Sequence, residues 1–413
     1  MKIQLIESNK NLLVFFDQFV VSGGNFLLSI IILRFLGTEA FGIFSFLWLF
    51  IFFFNSVQLS LIISPIMTNF PKINKHLVSN YLGGVFLQQL ALSILSAIVA
   101  FIFIFFFGEK LNKYNFSSFI NSFIFSIFFI QIQQFFRRLL FLKKKYLLAI
   151  ISDLVSFTTL FTLIFYFILE RALNLNLLIW ILGFSFFLGT LICISTIFKF
   201  KISYFSFLDS LNINWSISKW LFLTSLLQWF SGNLWIVNTG IILGPYYLGV
   251  LRACQTIIGI TNLAFQSFEN LFPLKFSEIF IKKGKKSLNK YLIKFIRDGI
   301  IYILLFILLI SIFSKDIINF FYGKEIANYN EILIYLSLIL PLTFLIFPIS
   351  YILRTLNKTR PIFFGYLLSS IFAIIFSKYI ISDYELFGSI LGLFMSSLLI
   401  LLTIIYSYRK NIL

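Results

Sequence analysis

Apolar runs of about twenty residues recur along the whole chain, and they restrict its fold more than any other feature. Stretches such as 41–64 and 291–313 have the length a helix needs to cross about 30 Å of hydrocarbon. With no water in the bilayer core to satisfy peptide groups, a crossing segment must be a helix or a strand of a closed barrel. Barrel strands are short and alternate apolar with polar residues, and these runs do not alternate. Hydrophobic residues make up 60% of the chain, charged residues 12%, and the mean hydropathy is +0.99. Soluble domains hold roughly 45–50% and 25% of these classes. The 59 phenylalanines accompany abundant Ile, Lys and Asn, as an AT-rich genome would produce, and they imply no ligand.

The runs predict spans over 12–36, 41–64, 80–107, 119–141, 147–169 and 177–198, then over 220–243, 247–271, 291–313, 332–353, 362–381 and 386–406. This is an all-α integral membrane fold of about twelve transmembrane helices in two six-helix lobes. The lobes cover 1–198 and 215–413, and the more polar stretch 199–214 reads as a cytoplasmic linker. Apolar residues of the first span continue past the length of a signal core, so it reads as a membrane helix rather than a cleaved leader.

Basic residues test this topology, because Lys and Arg collect in short cytoplasmic loops. Alternate loops carry Lys72 and Lys75; Arg137, Arg138 and Lys143 to Lys145; Lys199 and Lys201; Lys275 through Arg297; and Arg354, Lys358 and Arg360, with Arg409 and Lys410 at the end. The intervening loops hold Glu39, Glu109, Glu170, Asp316, Glu325, Glu331, Asp383 and Glu385. Both termini then face the cytoplasm. The formal net charge of +18 follows from this sidedness and from anionic inner-leaflet lipid, with no nucleic-acid partner needed. The dense run Lys282-Lys283-Gly284-Lys285-Lys286, extended by Lys290, Lys294 and Arg297, reads as a topology anchor at the membrane surface. His76 has no neighbouring ligand residues, Cys193 and Cys254 lie inside spans, and neither a metal site nor a cofactor is indicated.

A motif occurs twice. Leu36-Gly37-Thr38-Glu39-Ala40-Phe41-Gly42 returns as Leu243-Gly244-Pro245-Tyr246-Tyr247-Leu248-Gly249, each copy between two apolar spans. Gln58 and Pro65 match Gln266 and Pro273, and Ser22-Gly23-Gly24-Asn25 resembles Ser231-Gly232-Asn233. The duplication thus covers at least the first two helices of each half. With an even number of spans per half, both halves enter from one side and are related by a pseudo-twofold axis along the membrane normal, the arrangement of parallel-repeat transporters with a central cleft.

Polar residues within spans are costly and face the bundle interior or a wet cavity. Arg252, Gln255, Gly259, Asn262, Gln266 and Glu269 fall on one helical face by their three-four spacing, with a cation at one end and an acid at the other. Thr224, Gln228, Ser231, Trp235 and Asn238 do the same in the seventh span, and Gln18, Ser22, Asn25 and Ser29 in the first. Single Ser or Asn positions fit interhelical packing as well, whereas the complete Arg252 to Glu269 row favours cavity lining. Arg34 faces either the cavity or the headgroups. Candidate substrate-binding residues are Arg252, Gln255, Asn262, Gln266, Arg34, Gln228, Trp235 and Asn25, with Arg252 first for an anionic group. Trp229, Trp235, Tyr246 and Tyr247 are candidates for stacking on sugar rings, and Pro341 and Pro348 for a bend. Glu269, Asp17 and Asp153 are acids in or near spans and candidates for ion coupling; structural pairing with nearby cations is the competing explanation.

The Ser22-Gly23-Gly24-Asn25 segment, the Leu36-Gly37 hairpin ending in Gly42, its copy at Leu243-Gly244 and the two six-span halves resemble the polysaccharide flippases of the multidrug/oligosaccharidyl-lipid/polysaccharide (MOP) exporter superfamily, in particular the Wzx-type O-antigen flippases. The resemblance covers the whole chain in layout and two hairpins in motif. It implies a MATE-like fold and translocation of an undecaprenyl-pyrophosphate-linked oligosaccharide, an O-antigen or capsule repeat unit, across the bacterial inner membrane by alternating access. Membrane lipids and the lipid-linked oligosaccharide are then the expected partners, with polysaccharide polymerase machinery a further candidate. A multidrug exporter of the same superfamily would favour cationic drugs, which Arg252 does not suit, and a peptidoglycan-precursor flippase would use a similar headgroup. An integral-membrane polymerase or acyltransferase is disfavoured by the short outer loops and by the lack of histidine in any span or outer loop, so no enzyme activity is expected.

Overall fold

The computed structural model describes residues 2–107, 114–194, 200–356 and 358–412, and the side chains among them other than those of 2–12, 14, 15, 262–274, 277, 411 and 412. Every described element is helical. The chain runs through α1 (Lys2–Gln58), a π-helical turn (Leu59–Ile63), α2 (Ser64–Asn69), α3 (Val78–Phe107), α4 (Ile120–Leu142), α5 (Tyr146–Leu169), α6 (Leu175–Cys193) and α7 (Tyr204–Leu243). It continues through α8 (Pro245–Ile258), α9 (Thr261–Tyr322), the short α10 (Lys324–Ala327), α11 (Asn330–Ser337), α12 (Leu340–Thr355) and α13 (Arg360–Ile412). Eight described stretches are long and apolar enough to cross a membrane. The longest helices are each broken by one non-helical residue: α1 at Gly37, α9 at Gly284 and α13 at Glu385. Those in α1 and α13 fall between sequence-predicted spans, so each of these helices accounts for two. The fold is an all-α, multi-pass membrane architecture.

The duplicated glycines explain themselves in the backbone. Gly37 has φ 89°, ψ 173° and Gly244 has φ 100°, ψ 179°, a region open essentially to glycine alone. Each copy of the motif thus ends one helix and starts the next by the same pair of dihedral angles.

The chain forms two compact units, Met1–Ala40 with Leu47–Leu226, and Phe41–Phe46 with Leu227–Leu413. In the first, α4 packs along α6 and against α3, and α5 along α6. Small residues make these contacts close: Ser126 Oγ donates to the Ile179 carbonyl (2.6 Å) and Ser152 Oγ to that of Gly189 (2.8 Å). Side chains at Gly183 and Gly189 would overlap Ser126 and Ser156, the small-residue packing that apolar solvent demands in place of a hydrophobic driving force. Part of the segment predicted as a linker is bound to this unit. Lys201 N–H donates to the Ser79 carbonyl (3.1 Å), a Cβ on Gly83 would strike the Lys201 carbonyl, and Asn214 Oδ1 accepts from Tyr81 Oη and Asn69 Nδ2, both at 2.9 Å. Residues 204–214 form the first turns of α7, and the division between units falls later in that helix.

The second unit has its core among α9, α12 and α13, where Leu288, Leu292, Ile352, Leu353 and Ile404 are buried together. A row of hydroxyls joins α7 to α13: Ser231 to Ser369 (2.6 Å), Trp235 Nε1 to Ser396 (2.9 Å), Asn238 to Ser377 and Thr239 to Ser389 (2.6 Å). Phe41–Phe46 clusters here too, and a Cβ on Gly42 would lie 1.7 Å from the Pro245 carbonyl oxygen and 3.1 Å from Gly249 N. The second glycines of the two motif copies therefore pack against one another.

Candidate functional site

Two of the three candidate coupling acids come together. Asp17 on α1 and Asp153 on α5 are 1% and 2% exposed and flank the Arg137 guanidinium on α4, itself 4% exposed. Arg137 Nη2 donates to Asp17 Oδ2, and Arg137 Nε stands 2.7 Å from Asp153 Oδ2. Gln133, one turn earlier on α4, donates from Nε2 to Asp153 Oδ1. Helix packing fixes these positions, since α4, α5 and α6 form one tight layer. Arg137 reads by sequence as a cytoplasmic loop cation; the structure corrects this, placing it inside α4 and buried. A guanidinium can be desolvated there because carboxylates hold it from two sides, the condition under which a buried charge is tolerated. The signal was present in the four-residue spacing of Gln133 and Arg137, which puts both on one helical face. Arg138, the next residue of α4, lies within electrostatic range of both carboxylates. Glu269, the third acid, lies among the side chains outside the described residues, as do Asn262 and Gln266.

The row predicted along the eighth span divides. Helix α8 ends at Ile258, the Ile260 N–H turns back to the Ile257 carbonyl, and α9 begins at Thr261. The six positions thus do not lie on one unbroken helix. Its described part holds Arg252 and Gln255, joined by a 3.0 Å hydrogen bond from Arg252 Nη1 to Gln255 Oε1. Both are half-buried, on a helix whose Val250, Leu251, Ala253 and Cys254 are fully buried. The guanidinium thus sits beside a neutral amide at the edge of a buried apolar face.

The seventh-span face is mostly structural. Ser231, Trp235 and Asn238 are engaged with α13, and Trp235 is wholly buried, stacked where a side chain on Gly392 would overlap its ring. Trp235 therefore offers no face to a sugar, which corrects its place among the binding candidates. Gln228 remains exposed on α7, and Asn25 and Arg34 on α1. Gln18 donates to Ser22 (3.0 Å), and Ser29 turns to the Phe26 carbonyl (2.6 Å). Gln58, a marker of the duplication, donates from Nε2 to Gln89 Oε1 and to the Gln131 carbonyl, both at 2.8 Å, and so ties α1 to α3 and α4. Tyr246 packs edge-on against Tyr247 and Tyr329. Among the described residues no cluster of His, Cys, Asp and Glu could hold a metal ion.

This architecture defines a helical membrane protein with the MATE-like fold. Residues 221–379 match the MatE family model. Over 96% of this chain and 94% of the other, the structure resembles an inward-facing multidrug resistance MATE family transporter of the MOP superfamily, with a TM-score of 0.66 at 15% identity. It resembles the lipid II flippase MurJ in an inward closed conformation equally well, with a TM-score of 0.66 at 17% identity over 97% of this chain and 87% of that one. By sequence the chain is 26% identical over 265 residues to the capsular polysaccharide biosynthesis protein CapF of Staphylococcus aureus, an alignment spanning 60% of this chain and 64% of that protein.

Proposed function

We propose that the chain is a flippase that moves an undecaprenyl-pyrophosphate-linked oligosaccharide, an O-antigen or capsule repeat unit, across the bacterial inner membrane by alternating access, with both termini in the cytoplasm. The fold is shared by drug exporters and lipid flippases and does not choose between them. The observation that carries the choice is the relative whose name places it in capsular polysaccharide biosynthesis. Arg252 beside Gln255 supports it: a pyrophosphate requires a cation in a low-dielectric setting, whereas a cationic drug would be repelled there. The exposed Asn25, Arg34 and Gln228 are suited to hydroxyl-rich sugars, and Asn262 and Gln266 remain candidates for the same headgroup.

The Asp17–Arg137–Asp153 cluster is the favoured coupling element, with Glu269 a second. Protonation of Asp17 or Asp153 would weaken its pairing with Arg137 and loosen the link between α1, α4 and α5. The test is surface polysaccharide in a deletion strain complemented with Arg252→Ala, the protein level being checked in the membrane fraction. Loss of polymer at normal protein level is expected; normal polymer would remove Arg252 from the site. Rescue of a MurJ-depleted strain by the wild-type gene would instead favour a peptidoglycan precursor as substrate.

A further inference from the structure

The second half of α9, beyond Gly284, carries the least buried of the candidate spans, with 11% of its most apolar window buried. It does not simply face the bilayer. Between this helix and α12 lies a cavity of about 630 Å³ walled by Tyr302, Ile303, Phe306, Leu340 and Phe344, with Lys294 at one end. Its size is that of a ligand site, about 300–1,000 Å³. Lys294, Asp298, Tyr302 and Phe306 recur every four residues along α9, so the cavity is a groove parallel to the helix. From Lys294 to Phe306 the helix rises about 18 Å, close to the roughly 15 Å depth of one leaflet's hydrocarbon.

The charge is one-sided. Lys294 is exposed at the mouth, and Lys290 and Arg297 stand within a turn of it, continuing the Lys282–Lys286 run. Asp298, which lines the cavity one turn from Lys294, is paired with Arg297 at 3.1 Å, and the stretch from Lys282 to Arg297 around it is strongly basic. A groove that is apolar along one leaflet and basic at its headgroup end matches a lipid with one hydrocarbon chain recessed and an anionic phosphate outside. Basic pockets between helices on the cytoplasmic side take such headgroups.

We infer that the α9–α12 groove is a binding site for an anionic phospholipid of the inner leaflet, one acyl chain lying against Ile303, Phe306 and Phe344 and the phosphate on Lys294. This site is separate from Arg252 and does not depend on the identity of the transported substrate.

The full chain would be reconstituted in phosphatidylcholine nanodiscs containing a phosphatidylglycerol whose acyl chain bears a diazirine, irradiated, and mapped by peptide mass spectrometry. Cross-links are expected to concentrate on Ile303, Phe306, Leu340 and Phe344, and to fall several-fold both in Lys294→Glu and in the groove-filling Ile303→Trp. The same diazirine on phosphatidylcholine should label these peptides several-fold less, a comparison that needs only the wild-type chain. Equal labelling by the two lipids, or labelling of the outward-facing Leu304, Leu305 and Leu308 as strong as that of the groove, would overturn the assignment. Displacement of the phosphatidylglycerol by stoichiometric polyprenyl phosphate would overturn it as well, giving the groove to the carrier lipid.

Discussion

Arg137 shows how much one side chain can hold. It is the cation between two buried carboxylates on different helices, and removing one partner of a buried ion cluster costs about 3–5 kcal/mol because the other charges stay desolvated. Arg137→Ala is therefore expected to lower the thermal unfolding midpoint in detergent markedly. Asp153→Asn, which keeps the Arg137–Asp17 pair, should lower it much less. Equal midpoints for the two variants would show that the cluster is not where the stability resides. The residue scale is also where the sequence misleads most. An indole in a polar row reads alike as a sugar platform and as a packing group, and what decides between them for Trp235 is Gly392 and Ser396, far along the chain. Arg137 was misplaced for a similar reason: a cation at a span end looks like a loop charge until the carboxylates of α1 and α5 are seen beside it.

At the scale of elements the agreement is closer, because helix length and helix breaks are local properties. Apolar runs located the spans, and the paired glycines located two of the breaks. The break at Glu385 falls between predicted spans, although its φ of 51° belongs to a residue type that gives no local warning. The π-helical turn Leu59–Ile63 and the discontinuity at Gly259–Ile260 left no sequence signal, since both depend on how neighbouring helices fill the space around them. Two substitutions probe the motif. Gly244→Ala forces a Cβ into a backbone region worth about 1–3 kcal/mol of strain, and Gly42→Ala places one against the Pro245 carbonyl. Both should reduce the yield of folded protein on size-exclusion chromatography, whereas Gly232→Ala, with no atom near its Cβ position, should not. Wild-type behaviour of the first two would mean that the repeated glycines have another role.

For the whole molecule, the distribution of charge makes a statement about orientation that a single experiment resolves. The run around Lys286 should face the cytoplasm. A cysteine at Lys286 is expected to react with a membrane-impermeant maleimide in inverted vesicles and to stay unlabelled in intact cells. The native Cys193 and Cys254, both buried, add little background. The reverse pattern would invert the topology and, with it, the direction assigned to transport. Gly37 and Gly244 have a further consequence at this scale. The two motif copies differ at Thr38, Glu39, Ala40 and Phe41 against Pro245, Tyr246, Tyr247 and Leu248, yet at the glycines before them the backbone follows one path to within about a dozen degrees. What the two motif copies hold in common is thus stereochemical: a bend that mutation can remove, but that no residue with a Cβ can imitate cheaply.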